Sequence, residues 1–430
     1  MNPPDRAPDD VVSVVAEKLI GGGRALAHQG GATWMVAGAL PGEKVSVRIT
    51  KRRAGIVEAQ TLEVLSDAHL ARLHDPCPQS GICGGCDWPH VDPGDGANLK
   101  AAAAAEAARA FPDLAARISS APIHLSEGGY RLRARLHWDG GQQRLGFYEH
   151  RSRKVASIDS CRILSPRLMK ALPHLTDALS KSCPYHVDLE WLEGTKANDT
   201  VAALRQAKGG PKTFEPAWIP KQNDMGSVVS GFHALSKSGQ PRSGWGPTEV
   251  TIDLPIPLKV PIGSFFQGNR HLIDPLFRRV AELVGGEAVP IFDLHAGVGY
   301  LAAAARFAGA KDLTLVEPYR EAAQAAGRNL AGAQVIVGST AEDFVAGAPT
   351  LPAEALVITD PPRTGLSKNL RIHLAKWQPR RILMLGCDPA TWARDAGFLA
   401  ERGYSPRVVE IFDLFPSTHH LEILALLERG

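Results

Sequence analysis

From about residue 255 to the end of the chain, short apolar segments alternate with helix-type segments, and this alternation restricts the possible folds more than any other feature. VPIFDL (289–294) leads through a glycine turn into LAAAARFAG, and LTLVEP (313–318) leads into EAAQAAGRNLAG. VIVGS (335–339) precedes a short helix, ALVITDPP (355–362) precedes LRIHLAKW, and ILMLGC (382–387) precedes ATWARDAGFLAERG. Repeated strand–helix units of this kind specify a doubly wound, mainly parallel α/β sheet of the Rossmann type. VVEIFDLF and LEILALLE then add β segments at the end.

The preceding residues read differently. Between residues 11 and 65, VVSVVAEKL, TWMVAGAL, EKVSVRIT and IVEAQTLEVL are β-rich and separated by GGGRALAHQGG and PGE, which predicts a small OB-type barrel. A Cys- and Gly-rich loop occupies 76–90, and an Ala-rich helical stretch runs from about Asn98 to Arg117. YRLRARLHW then places Tyr130, Leu132, Ala134, Leu136 and Trp138 on one face of a strand, with Arg131, Arg133, Arg135 and His137 on the other. The Gly-, Pro-, Ser- and Lys-rich stretch 205–248 predicts long loops or a hairpin. The expected division is therefore a barrel at 1–66, a central α+β domain at 67–254 and the α/β domain at 255–430.

No apolar run reaches the ~20 residues of a membrane-spanning helix, and MNPPDRAPDD at the start is polar. The expectation is a cytoplasmic protein with no membrane partner and no obligate protein partner. A net charge of +3 permits a nucleic-acid partner without demanding one, although Lys51, Arg52 and Arg53 form a local basic cluster.

Parallel sheets bind ligands beyond the carboxyl ends of their strands, and that rule selects residues. Gly297 and Gly299 follow the first strand, where backbone must approach a ligand closely. Glu317 ends the second strand, where a carboxylate suits ribose hydroxyls, and Asp360 ends the fourth. The GVG turn lacks the full dinucleotide fingerprint. Cys387 ends the fifth strand before a helix start, a position that predicts ligand exposure and a low thiol pKa. Glu422 is a carboxylate partner for it near the C-terminus. Separately, Cys77, Cys83 and Cys86 with the distant Cys161 supply four thiolates, which suit either tetrahedral zinc or an iron–sulfur cluster. Cys183 has no assigned partner.

DPPRTG (360–365), GCDPATWARD (386–395) and FPSTHHLE (415–422), with FFQGN (265–269) before the first strand, resemble the signature motifs of the RNA uracil-5-methyltransferases. The barrel, with LPGEKV after a short strand, resembles a TRAM domain, and the likeness extends over nearly the whole chain. The resemblance implies methyl transfer from S-adenosylmethionine to C5 of a uridine in structured RNA, with Cys387 as nucleophile and Glu422 as the base. It implies that Phe265 stacks on the flipped uracil, that Gln267, Glu317 and Asp360 hold cofactor and reacting groups, and that Arg363 orients the Asp360 loop or contacts RNA. The family branch that carries these four cysteines binds a [4Fe-4S] cluster, and that branch acts on 23S ribosomal RNA. The alternatives are a tRNA uracil-5-methyltransferase and a non-catalytic RNA-binding iron–sulfur protein. This chain departs from the pattern in having His295-Ala296 before Gly297, Gly386 where Ser is common and Asp388 where Asn is common.

Overall fold

A computed structural model describes residues 11–211, 213–347 and 350–430; the polar N-terminal decapeptide lies outside the described residues. The C-terminal alternation forms an eight-stranded sheet. Its order in space is Gln334–Val337, Leu313–Glu317, Ile291–Asp293, Leu356–Thr359, Arg381–Gly386, Glu422–Arg429, Tyr404–Phe412 and Ile123–His124. The strands from Gln334–Val337 through Arg381–Gly386 are parallel, and Glu422–Arg429 runs antiparallel to both its neighbours. The chain leaves Ile291–Asp293 towards one side of the sheet and later returns on its other side. That reversal opens a crevice at the strand ends.

Both faces of this sheet are covered, which is why its strands read as continuous apolar runs. Successive residues enter opposite cores: Leu315, Ile358, Leu383 and Leu424 on one side, Val316, Val357, Met384 and Ile423 on the other. Each fully buried side chain of this size contributes ~1.5–3 kcal/mol relative to exposure. The Ala-rich stretch packs on the second face as two helices, Pro93–Ala107 and Pro112–Ser119, rather than one. Pro112 divides them because proline suits a first helical turn and disfavours helix in the residue before it.

The N-terminal segment is a six-stranded sheet ordered Val11–Val15, Lys44–Arg53, Ile56–Val64, Ala32–Ala37, Arg24–Gln29, Lys18–Ile20. Val14, Ala25, Trp34, Val36, Val45 and Val47 fill its interior. Gly30 and Gly31, with φ of +60° and +73°, make the tight turn between Arg24–Gln29 and Ala32–Ala37, a conformation L-residues with a Cβ resist. The central segment is a seven-stranded sheet in which Arg133–Asp139 pairs with His186–Glu193. The apolar face expected there is real: Ala134, Leu136 and Trp138 pack with Leu168, Leu172, Leu175 and Leu179 of the helix Pro166–Ser182. The hairpin expected in 205–248 is Gly231–Leu235 with Pro241–Trp245. No helix among the described residues is long and apolar enough to cross a membrane.

Candidate active site

Strand register assembles the site. Gly386 pairs with Ile423 and Thr359 pairs with Met384, so Cys387, Glu422 and Asp360 all leave the same end of three adjacent strands. Each is buried or half-buried, and each influences the others. Cys387 is pushed up to about 12, first by burial and then by Glu422 and Asp360, while Arg363 opposes the shift. The low thiol pKa expected from the sequence is therefore corrected. Strand-end position says nothing about the two carboxylates that packing brings beside the sulfur.

Glu422 is 3% exposed, and its Oε2 has no hydrogen-bond partner among the described residues. Burial, reinforced by Asp360, holds its carboxyl well above the ordinary range. Burial likewise lifts Asp360 to about 7, against a hydrogen bond donated by Gln267 Nε2 to Asp360 Oδ2 at 3.3 Å. Arg363 donates from Nη2 to His420 Nε2 at 2.9 Å, which fixes its guanidinium at this end of the sheet.

The FFQGN segment splits its aromatic pair. Phe266 is buried edge-on against Tyr300, whereas Phe265 is 62% exposed with the Arg133 guanidinium 5.8 Å from its ring centre. An anchored neighbour and a free ring make a platform for another flat group. Asn269 is fully buried and donates to Leu414 O at 2.9 Å, tying this segment to the loop that leads to Glu422. Asn269 closes the FFQGN motif, and its partner lies 145 residues further along the chain.

At the reversal point, Glu317 accepts hydrogen bonds from the backbone N–H groups of Gly297 and Tyr319, both at 2.8 Å. Burial raises its pKa against those bonds. Gly297 has φ of +54°, and an added Cβ would meet nothing within 4 Å, so its surroundings leave room for a ligand. Gly299, by contrast, is packed: a Cβ there would stand 3.0 Å from Leu330. The structure also adds Asp293, buried and raised to about 7 by burial and by nearby Asp360 and Glu317. His295 bonds Thr359 through Nδ1 at 2.9 Å and is lowered to about 4 by burial. Asp293 carries the same signal as Glu317 and Asp360, an acidic residue ending a strand, and was legible on that ground.

Asp293 Oδ2, Gln267 Oε1 and Glu422 Oε2 are buried without hydrogen-bond partners among the described residues. Together with the buried carboxylates Asp293 and Glu317 and the half-buried Asp360, they call for a ligand that is cationic and rich in donors, since unpaired buried polar atoms are costly. A sulfonium with an amino group and ribose hydroxyls meets that requirement.

The four-cysteine cluster also forms. Cys77, Cys83, Cys86 and Cys161 line one pocket with Phe147, Ile158 and Ser417. Cys83 and Cys161 are raised by burial and by neighbouring thiols, and Cys86 is pushed up to about 12 for the same reasons. The glycines between Cys83 and Cys86 are required by close approach: a Cβ at Gly84 would lie 2.9 Å from Tyr148 O, and one at Gly85 2.9 Å from the Phe147 ring. Among the described residues, the one set of metal-type ligands gathered within 4.8 Å is Asp87, His419 and His420. Four thiols facing one pocket are a donor set that suits either tetrahedral zinc or an iron–sulfur cluster. Cys183 is apart from them and buried, with its carbonyl accepting from Trp138 Nε1 at 2.7 Å.

Comparison with known proteins gives the family. The family described as tRNA (uracil-5-)-methyltransferase matches residues 353–430, which contain Asp360, Cys387 and Glu422. The chain is 30% identical over 434 residues to a 23S rRNA (uracil(1939)-C(5))-methyltransferase of Pseudomonas putida, covering 96% of this chain and 93% of that protein. It is 30% identical to the protein of the same description from Hahella chejuensis, covering 99% of each. A crystal structure of the tRNA (uracil-54, C5)-methyltransferase of Pyrococcus abyssi, in complex with S-adenosyl-L-homocysteine, shares the fold with a TM-score of 0.75 at 22% identity. That match covers 96% of this chain and 99% of that one. Full-length likeness at this level, together with the family match over the strands that carry the site, makes this chain a member of the RNA uracil-5-methyltransferase family.

Proposed function

We propose that this enzyme transfers a methyl group from S-adenosylmethionine to C5 of a specific uridine in 23S ribosomal RNA, through a covalent bond between Cys387 and C6 of the base. The observation that carries the reading is the strand register that sets Cys387 opposite Glu422, with Asp360 and Arg363 acting on both. Uracil C5 is a poor nucleophile, and thiolate addition at C6 makes it a good one. The bound cofactor supplies the methyl group as an electrophile on a sulfonium.

Cys387 loses its proton to solvent and adds to C6; the displaced electron pair makes C5 an enolate carbon that takes the methyl group as its bond to the sulfonium sulfur breaks and a neutral thioether leaves. Glu422 then removes the C5 proton, the ring double bond re-forms, and the C–S bond breaks to return the thiolate. Arg363 stabilises the thiolate and the ionised Glu422 by its charge. Phe265 stacks on the uracil after it leaves its RNA stack. Gln267, Asp360, Glu317, Gly297 and Gly299 hold the cofactor end, where a cation beside Asp360 and Asp293 offsets the burial of those carboxylates.

The same proposal divides the chain into an RNA-binding, TRAM-like segment at 1–66, a central segment at 67–254 and the methyltransferase segment at 255–430, working in the cytoplasm. Cys77, Cys83, Cys86 and Cys161 would hold a [4Fe-4S] cluster with a role in folding and RNA shaping, because methyl transfer requires no net electron flow. The ribosomal substrate is preferred because end-to-end relatives at 30% identity are described as 23S rRNA enzymes, whereas the tRNA enzyme that also matches end to end is 22% identical.

The test is incubation with methyl-labelled S-adenosylmethionine and either 23S rRNA or a tRNA pool, followed by nucleoside analysis. Label in 5-methyluridine from 23S rRNA is expected. Label in tRNA alone would move the substrate, and label in neither would overturn the reading.

A further inference from the structure

The loop that joins Tyr404–Phe412 to Glu422 is held from outside by the cysteine loop. Trp88 N–H donates to Ser417 O at 3.0 Å, and Asp87 Oδ2 accepts from His419 Nδ1 at 2.7 Å. Ser417 also lines the pocket of the four cysteines. Asp87 directly follows Cys86, so whatever fixes Cys86 fixes the carboxylate beside it. Next in line, the His419 and His420 rings lie 4.1 Å apart, and His420 Nε2 accepts from Arg363 Nη2 at 2.9 Å. An unbroken series of contacts therefore runs from the cysteine loop to the guanidinium that acts on Cys387 and Glu422.

We propose that Asp87 is a positioning residue for methyl transfer: it orients His419, the adjacent His420 receives Arg363, and Arg363 is thereby held where it stabilises the nucleophile. The proposal rests on Cys387 being the nucleophile. Asp87, His419 and His420 also have the spacing of a metal site, but Arg363 already occupies His420 Nε2 with a donor hydrogen, which favours the hydrogen-bonded series. Asp87 and His419 are partly exposed, and an ion pair of that kind adds little to global stability. Its effect is local, on where Arg363 points.

The experiment compares wild type, Asp87→Ala, Asp87→Asn and His420→Ala as intact proteins carrying their metal. Alkylation of the Cys387 peptide is followed by mass spectrometry, alongside kcat, KM for S-adenosylmethionine, and iron content. In Asp87→Ala, alkylation of Cys387 and kcat should fall together by roughly five- to tenfold, because thiolate availability controls both. KM and iron content should stay unchanged. Asp87→Asn, which keeps an oxygen to accept from His419, should restore most of the rate, and His420→Ala should reproduce the loss without touching the cysteine loop. Any other combination overturns the proposal: unchanged alkylation, alkylation and kcat moving apart, or a loss of iron that accounts for the loss of rate. Failure of the covalent reading is separate, because it would show in Cys387→Ala retaining methyl transfer whatever Asp87 does.

Discussion

Cys86 and Cys387 are both half-buried thiols pushed up to about 12, yet they sit in different company. Around Cys86 the neighbours that disfavour ionisation are other thiols, Cys161, Cys83 and Cys77, with Arg131 in opposition. Around Cys387 they are carboxylates, Glu422 and Asp360, with Arg363 in opposition. Like groups facing one pocket can all be satisfied at once by a shared metal group, and nothing then needs to move. A thiol beside two carboxylates and a guanidinium has a base at hand for the substrate's proton and a charge to steady the thiolate. A shifted pKa alone does not separate a structural cysteine from a catalytic one; the identity of its neighbours does.

The sharpest way to break this contrast is to remove each thiol in turn. Cys387→Ala should lower methyl transfer by ~10⁴-fold or more, as loss of a covalent nucleophile does, with iron content and RNA affinity retained. Cys86→Ala should do the reverse first, losing iron and its absorbance, with activity falling only as the protein loses stability. Iron retained in full by Cys86→Ala would contradict the four-ligand reading.

The second prediction concerns pH. Because the Cys387 thiol and the Glu422 carboxyl are both raised, each must shed a proton before it works. The single-turnover rate should therefore climb by up to about tenfold per pH unit across the neutral range, measured in rapid-quench assays. A rate independent of pH from about 6 to 9 would mean that bound RNA and cofactor have already ionised both groups.

A smaller effect is expected at the cofactor end. Glu317→Gln keeps an oxygen for one of the two backbone N–H groups now bonded to the carboxylate. It should weaken S-adenosylmethionine binding by about tenfold in calorimetry, the worth of one charge-assisted hydrogen bond.

The α/β sheet was legible because strands buried on both faces leave unbroken apolar runs, and its strand ends named Glu317, Asp360 and Cys387 in advance. The break at Pro112 and the place of Asn269 were less legible. Each depends on what the segment packs against, and 145 residues separate Asn269 from Leu414. The raised thiol of Cys387 escaped the sequence for the same reason: Glu422 reaches it only through the antiparallel register of the last strand. Local pattern located the Cys387 thiol, and long-range pairing set the carboxylates around it.

The most direct test of the central claim is a trap. 23S rRNA containing 5-fluorouridine carries fluorine where Glu422 should remove a proton, so the covalent intermediate cannot resolve. Incubated with S-adenosylmethionine, the wild-type protein should form a denaturation-resistant complex whose cross-linked peptide contains Cys387, and Cys387→Ala should form none. A complex linked through another residue, or full turnover without any complex, would contradict the account.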